Sequence, residues 1–296
     1  MKTFMTVACF TFLSCPLVAQ DDLMKLMEAE SGDTKTVEFT TATFKTTRII
    51  NGHSVENVAP GVLDLRISHR FGFISGGAYE LFGLDQASMR IGVDYGLTNR
   101  WMIGVGRSTF QKQYDGFTKF KILRQARAKM PVTVSVTGSI MYKSLKFEDP
   151  TRTNYTSSNF VYSSQLLIGR KFSESLSLQL MPTMIHYNLV PGATDPNDIF
   201  ALGAGGRLKI TKRVSINAEY YYQFPGFQFE GTENSLAIGF DIETGGHVFQ
   251  LNFTNSTGMT ERSFITETTG KFFKGDIHFG FTISRVFTLV KPKRQV

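Results

Sequence analysis

Between Val62 and Phe287 six long polar connections alternate with five very short turns, and few folds accommodate that pattern. The turns are Thr98-Asn99-Arg100, Lys129-Met130, Ser173-Glu174, Thr211-Lys212 and Thr244-Gly245-Gly246. The long connections fall at 73–86, 111–116, 146–158, 189–198, 225–233 and 257–274. They separate strand-like segments at 62–72, 87–97, 101–110, 117–128, 131–145, 159–172, 174–188, 199–211, 213–224, 234–243, 246–256 and 275–287. In the cleanest of these, Met89, Ile91, Val93, Tyr95 and Leu97 alternate with Ser88, Arg90, Gly92, Asp94 and Gly96. A strand turns successive side chains to opposite faces, so such a segment has one apolar and one polar face. Long loops on one side and tight turns on the other are the pattern of a transmembrane antiparallel up-and-down β-barrel. The expected fold is all-β: a barrel of about 12 strands, with 10 or 14 as alternatives, and both ends on the short-turn, periplasmic side.

Composition agrees with this and excludes other classes. Mean hydropathy is −0.09, and no apolar run long enough for a membrane helix follows the N-terminus. Lipid-facing and lumen-facing residues alternate in a barrel strand, so hydropathy does not reveal it. The 27 Phe and 10 Tyr suit interfacial girdles, and the 27 Gly suit curved strands, although a soluble β-sandwich is rich in both. The loop asymmetry favours the barrel. The formal charge of +7 is scattered along the chain. Lys291, Lys293 and Arg294 are too few for a nucleic-acid arm, so no nucleic-acid partner is expected.

Residues 1–19 read as a cleaved signal peptide, which implies export to the outer membrane of a Gram-negative-type envelope. Lys2 is the positive start, Phe4 to Leu13 the apolar stretch, and Leu17-Val18-Ala19 the cleavage site before Gln20. Cys9 and Cys15 both lie within it, so the mature chain would have no thiol. A lipidated Cys15 is the alternative, but Phe12 and Leu13 fit a lipoprotein site poorly. Residues 20–60 form the next unit. A short N-terminal helix spans Asp21 to Glu28, and a Thr-rich extended segment at 31–60 follows. That segment alternates poorly and is expected either in the periplasm or in the barrel mouth as a partial plug, with two extra strands as the alternative. Residues 61–288 are assigned to the barrel and 289–296 to a basic tail.

The faces expected to line the lumen carry Asp64, Arg66, Arg70, Arg90, Asp94, Lys119, Lys121, Lys171, Arg207, Lys209, Glu219, Asp241 and Glu243. An Arg or Lys facing lipid at mid-depth costs about 2–4 kcal/mol, so these charges must face water or one another. They imply either a charged pore with mild anion preference or a cross-lumen salt-bridge network. No cofactor and no metal site are expected. The histidines are His53, His69, His186, His247 and His278, with no metal-binding spacing among them. The run Gly203-Ala204-Gly205-Gly206 sits mid-strand with no helix after it, unlike a phosphate loop. His186 with Ser163 or Ser164 could sit on neighbouring strands as in a barrel-wall hydrolase, but nothing marks a nucleophile. The chain is therefore not expected to be an enzyme.

The last strand alternates Ile277, Phe279, Phe281 and Ile283 with His278, Gly280, Thr282 and Ser284. It resembles the C-terminal signal read by the barrel insertion machinery, although the chain runs on past Phe287. The expected partners are outer-membrane lipid, that machinery, and a periplasmic or envelope partner of unknown identity. Five stretches also resemble a family of uncharacterised bacterial outer-membrane-type β-barrels, a domain of unknown function. They are Thr43-Phe44-Lys45-Thr46-Thr47-Arg48-Ile49-Ile50-Asn51-Gly52, Ile67-Ser68-His69-Arg70-Phe71-Gly72, Phe82-Gly83-Leu84-Asp85, Asn217-Ala218-Glu219-Tyr220-Tyr221 and Gly239-Phe240-Asp241-Ile242-Glu243-Thr244-Gly245-Gly246-His247. The resemblance runs from about Val37 to the end. It implies a barrel in the outer membrane, places the Thr-Arg-Ile-Ile-Asn-Gly segment inside the domain, and brings no catalytic residues. The expected function is a passive channel or small-solute conduit. The alternatives are a partner-binding barrel with a plugged lumen, using 31–60 or 257–274, and a barrel-wall hydrolase.

Overall fold

The computed structural model describes residues 37–291 apart from 128, 148–150 and 152. The expected signal peptide, both cysteines, the helix expected at 21–28 and most of the basic tail lie outside the described residues. Twelve antiparallel strands close into one barrel, each pairing with its sequence neighbours and the first with the last. They are β1 (Val62–Phe73), β2 (Ala87–Gly96), β3 (Trp101–Ser108), β4 (Gln113–Leu123), β5 (Thr133–Lys143) and β6 (Phe160–Lys171). The second half comprises β7 (Leu176–Tyr187), β8 (Asp198–Lys209), β9 (Val214–Gln223), β10 (Ser235–Thr244), β11 (His247–Thr254) and β12 (His278–Thr288). The closing seam pairs Val62 with Thr288 and continues to Arg70 with Gly280, where a bulge interrupts it. Both strands of the seam have their outer ends on the short-turn side.

The inside–outside pattern is the reverse of that in a soluble protein. On β2, Arg90, Gly92 and Asp94 are buried while Ile91 between them is exposed. Ile91, Ile103, Val105, Leu166, Leu180, Leu202, Tyr220 and Phe240 all stand exposed on the outer face. An apolar belt around a polar interior is stable only where the belt meets lipid.

One strand departs from the sequence reading. The segment 111–116 was expected as a loop and 117–128 as a strand, yet β4 runs Gln113–Leu123. Its polar start and its Asp115-Gly116 pair read as a turn. In a barrel with a polar interior, Gln113 and Asp115 instead point inward and Gly116 outward. As a result β3 and β4 are joined by only 109–112 on the long-loop side. The expected tight turn at Lys129-Met130 becomes the longer connection 124–132, closed by an Ala126–Met130 bridge.

The extended segment before β1 is the main architectural finding. Residues 44–55 lie in the barrel lumen and are largely buried. They form a single isolated bridge, Arg48 with His53, rather than two extra strands. A short helix, α1 (Glu261–Thr266), also folds inward from the connection between β11 and β12, and all six of its residues are buried.

Candidate functional site

The hairpin at 47–54 is closed by two backbone hydrogen bonds, Ser54 N to Thr47 O at 3.0 Å and Ile49 N to Gly52 O at 2.8 Å. Its tip, Ile49-Ile50-Asn51-Gly52, leaves three successive N–H groups pointing the same way. Ile50, Asn51 and Gly52 donate them to the Glu219 carboxylate at 3.2, 2.8 and 3.1 Å. Consecutive amides converging on one anion form a nest, and here the anion belongs to the barrel wall. The tip fits closely: a Cβ on Gly52 would lie 2.1 Å from the Tyr221 hydroxyl oxygen. Where the segment leaves the lumen, Gly61 at φ 72° turns the chain into β1.

The rest of the wall holds the hairpin by its backbone. Lys119 Nζ donates to the carbonyls of Thr47, Ser54 and Glu56 at 3.2, 2.9 and 2.6 Å. Gln179 donates to His53 O at 2.7 Å and accepts from Val55 N at 2.8 Å. Gln250 donates to Ile49 O at 3.2 Å and to Asp241 Oδ1 at 2.8 Å. Thr47 Oγ1 donates to Asp94 Oδ2 at 2.8 Å. Arg66 donates to Thr47 Oγ1 and to Gln250, while Arg70 donates to Asn51 Oδ1 at 2.8 Å and to Ser256 O at 2.6 Å.

The hairpin and α1 meet inside the barrel. Arg48 Nη1 lies 2.6 Å from Glu261 Oε1, and His53 Nε2 lies 3.2 Å from the same oxygen. Burial, and then the Arg48 charge, push the His53 pKa down to about 3, so His53 is neutral at ordinary pH. Burial alone would raise the Glu261 carboxyl, but Arg48 and His53 outweigh it and hold it well below the usual carboxylate range. Apolar packing completes the plug. Ile49, Ile50 and Val55 of the hairpin and Phe264 and Ile265 of α1 join Met141, Leu167, Met181, Ile185, Ile199 and Tyr221 of the wall in one core. Each such side chain contributes about 1.5–3 kcal/mol on full burial.

The residues expected to line the lumen fall into two sets. Asp64, Arg66, Arg70, Arg90, Asp94, Lys119, Glu219 and Asp241 are buried in the interior. Lys121, Lys171, Arg207, Lys209 and Glu243 sit near the short-turn ends of their strands and are only half-buried. There Lys171 reaches Thr41 O and Glu174, Arg207 reaches Ala42 O, and Glu243 pairs with Lys45 at 2.5 Å. Neither expected arrangement describes the interior. Arg90 with Asp115 is a wall-to-wall ion pair, but Lys119 and Glu219 bind the hairpin's backbone, and Arg66, Arg70 and Asp94 bind its side chains.

Charge alone did not point to the neutral anchors Gln179 and Gln250, to the inward apolar residues of β5–β9, or to α1. The visible signal for α1 was the Phe264-Ile265 pair flanked by polar residues at 260–263 and 266–269. On the wall, His186 Nδ1 lies 2.7 Å from Asp198 Oδ1 on the outer face. Ser163 is buried on the inner face, so it cannot reach His186. Ser164 shares the outer face and pairs with Met184, two residues from His186.

Residues 44–287 match the model of the membrane-bound beta barrel domain, DUF5777. The chain belongs to that family. The match includes the hairpin, so in this DUF5777 protein the plug is part of the family's domain, and the barrel is membrane-bound. No curated protein matches the chain. Among solved structures it resembles the NanC porin, with a TM-score of 0.48 at 10% identity over 76% of this chain and 98% of that one. The KdgM porin gives 0.47 at 10% identity over 76% and 99%. The COG4313 outer membrane channel from Pseudomonas putida F1 gives 0.44 at 11% identity over 78% and 97%. These superpositions are loose, and the architecture rests on the chain's own closed sheet and the family match.

Proposed function

We propose that the protein is an outer-membrane conduit for small solutes, shut in the state described by its own hairpin and α1. The observation that carries this reading is how the lumen is filled. The wall around β1, β2, β4 and β12 is polar and charged, as in a water-filled barrel, and beside its apolar packing the hairpin is held by hydrogen bonds and ion pairs that water can replace. The leader-like sequence at 1–19 and the aromatic C-terminal strand support an outer-membrane location and delivery by the insertion machinery.

Planar-bilayer recording of the refolded full chain, beside a variant lacking 41–58, tests the reading. The full chain should be silent or flicker briefly, and the deletion should give large, steady, salt-dependent conductance. A deletion variant that closes its barrel, judged by heat-modifiable gel migration, yet never conducts would overturn it. The same occupied lumen favours a second reading, a permanently plugged barrel that binds an envelope partner. That reading expects a disulfide between hairpin and wall to leave function in cells intact, whereas a conduit would be blocked.

A further inference from the structure

We propose that the seam between hairpin and wall contains a binding site for a single small inorganic anion of chloride size. A cavity of about 20 Å³ lies where the hairpin tip faces β1, β2 and β12, and four guanidinium groups line it: Arg48, Arg66, Arg70 and Arg90. No carboxylate is among its lining residues. Arg48 is matched by Glu261 and Arg90 by Asp115. Arg66 and Arg70 are matched by neither; they donate only to neutral oxygens and form no ion pair among the described residues. Asp94 and Glu219 lie near these two but direct their oxygens at Thr47 and the tip amides.

Two donors at this place have no partner. Arg70 Nε and Asn51 Nδ2 are both buried side-chain nitrogens without a hydrogen-bond acceptor, in residues 2% and 5% exposed. A buried cationic donor left unpaired is costly, and a nearby anion removes the cost. Ser68 supplies a further hydroxyl, which already accepts from Thr282 Oγ1 at 2.9 Å and so has its own proton to give. The buried Asp64 also acts on Arg66 but does not line the cavity, so the cavity's own walls present donors and positive charge and no carboxylate. Its size sets the ligand: about one water-sized volume admits a halide and excludes phosphate, sulfate or a carboxylic acid.

The ligand would contact Asn51 of the hairpin and Arg70 of the wall together, so it would act as a latch between them. This holds whether or not the barrel conducts. The test uses the refolded full chain in detergent, with sodium chloride or bromide against sodium gluconate at equal ionic strength. Ligand binding to the folded state raises the unfolding midpoint in a saturable way. The midpoint should climb with chloride and bromide and stay flat with gluconate. Asn51→Asp keeps the oxygen that accepts from Arg70 and puts a carboxylate oxygen where the unpartnered amide stood. It should fold and lose the halide dependence, with half-saturation moved at least tenfold. Crystals grown in bromide should show an anomalous peak beside Arg70 Nε. Equal midpoints in halide and gluconate, an N51D protein that still responds fully to chloride, or a cavity in bromide crystals holding only water would each overturn the proposal. If N51D does not fold, the bromide peak alone decides.

Discussion

Glu219 and Lys119 each hold the plug by three hydrogen bonds, and at Glu219 all three come from consecutive amides of the hairpin tip. A hydrogen bond to a charged group is worth about 1.5–3 kcal/mol when its loss leaves the partner buried. Glu219→Gln should therefore loosen the tip by roughly 2 kcal/mol or more by the same measure. Limited proteolysis within 41–58 reads this directly, and an unchanged cleavage rate would show that the nest is incidental. Gly52 tests the fit from the other side. Gly52→Ala drives a methyl group into the Tyr221 hydroxyl and should cost about 1–3 kcal/mol, as overpacked cores do. Tyr221→Phe in the same chain removes the nearest clashing atom and should restore part of the loss. If the double variant is no better than G52A, the assigned clash is not the cause.

The two lumen elements are joined through a contact that responds to acid. The folded-state pKa of His53 is about 3, below its ordinary value of 6.5. Between those values an undocked His53 takes up a proton that the docked one refuses. Docking is therefore fully favoured above about pH 6.5 and weakens as pH falls towards 3. Glu261 acts in the same direction: its lowered pKa favours docking above the usual carboxylate range, and that contribution is lost as pH falls through the folded value. Hairpin cleavage should thus accelerate on acidification, and His53→Gln, which removes the titrating imidazole, should flatten the profile between about pH 6.5 and 3; a profile unchanged by H53Q would remove this contact from the account. How legible these elements were differs between them. The strands were plain in the sequence wherever lumen and lipid faces differ in polarity, as on β2. β4 was misplaced because a lumen-facing Asp115 next to a lipid-facing Gly116 looks the same as a turn. The hairpin was isolated as the segment that the alternation did not explain, yet its place inside depends on contacts from Glu219, Lys119 and Gln179, more than 60 residues away along the chain. Local patterning carries no trace of such contacts.

At the scale of the whole molecule, the apolar belt predicts how the barrel sits in lipid. Trp101, the chain's one tryptophan, stands 45% exposed on the outer face at the short-turn end of β3, with its indole N–H donated to Thr118. Tryptophan favours the boundary between headgroup and hydrocarbon. Its emission should shift to the blue on insertion into vesicles. Lipids carrying a quencher near the headgroup should quench it more than lipids quenched at the chain end, and the opposite order would contradict this orientation. The filled lumen also gives the molecule two solvents with different temperature dependence. Its outer face is stabilised against hydrocarbon and its wall by backbone bonds that lipid cannot replace. The inner cores around Ile49, Leu167 and Phe264 and around Val58, Met102 and Phe117 depend on apolar surface leaving water. That driving force carries a large heat capacity and weakens on cooling. Chilling should thus act on the plug and spare the wall, leaving an intact cylinder with a loosened interior.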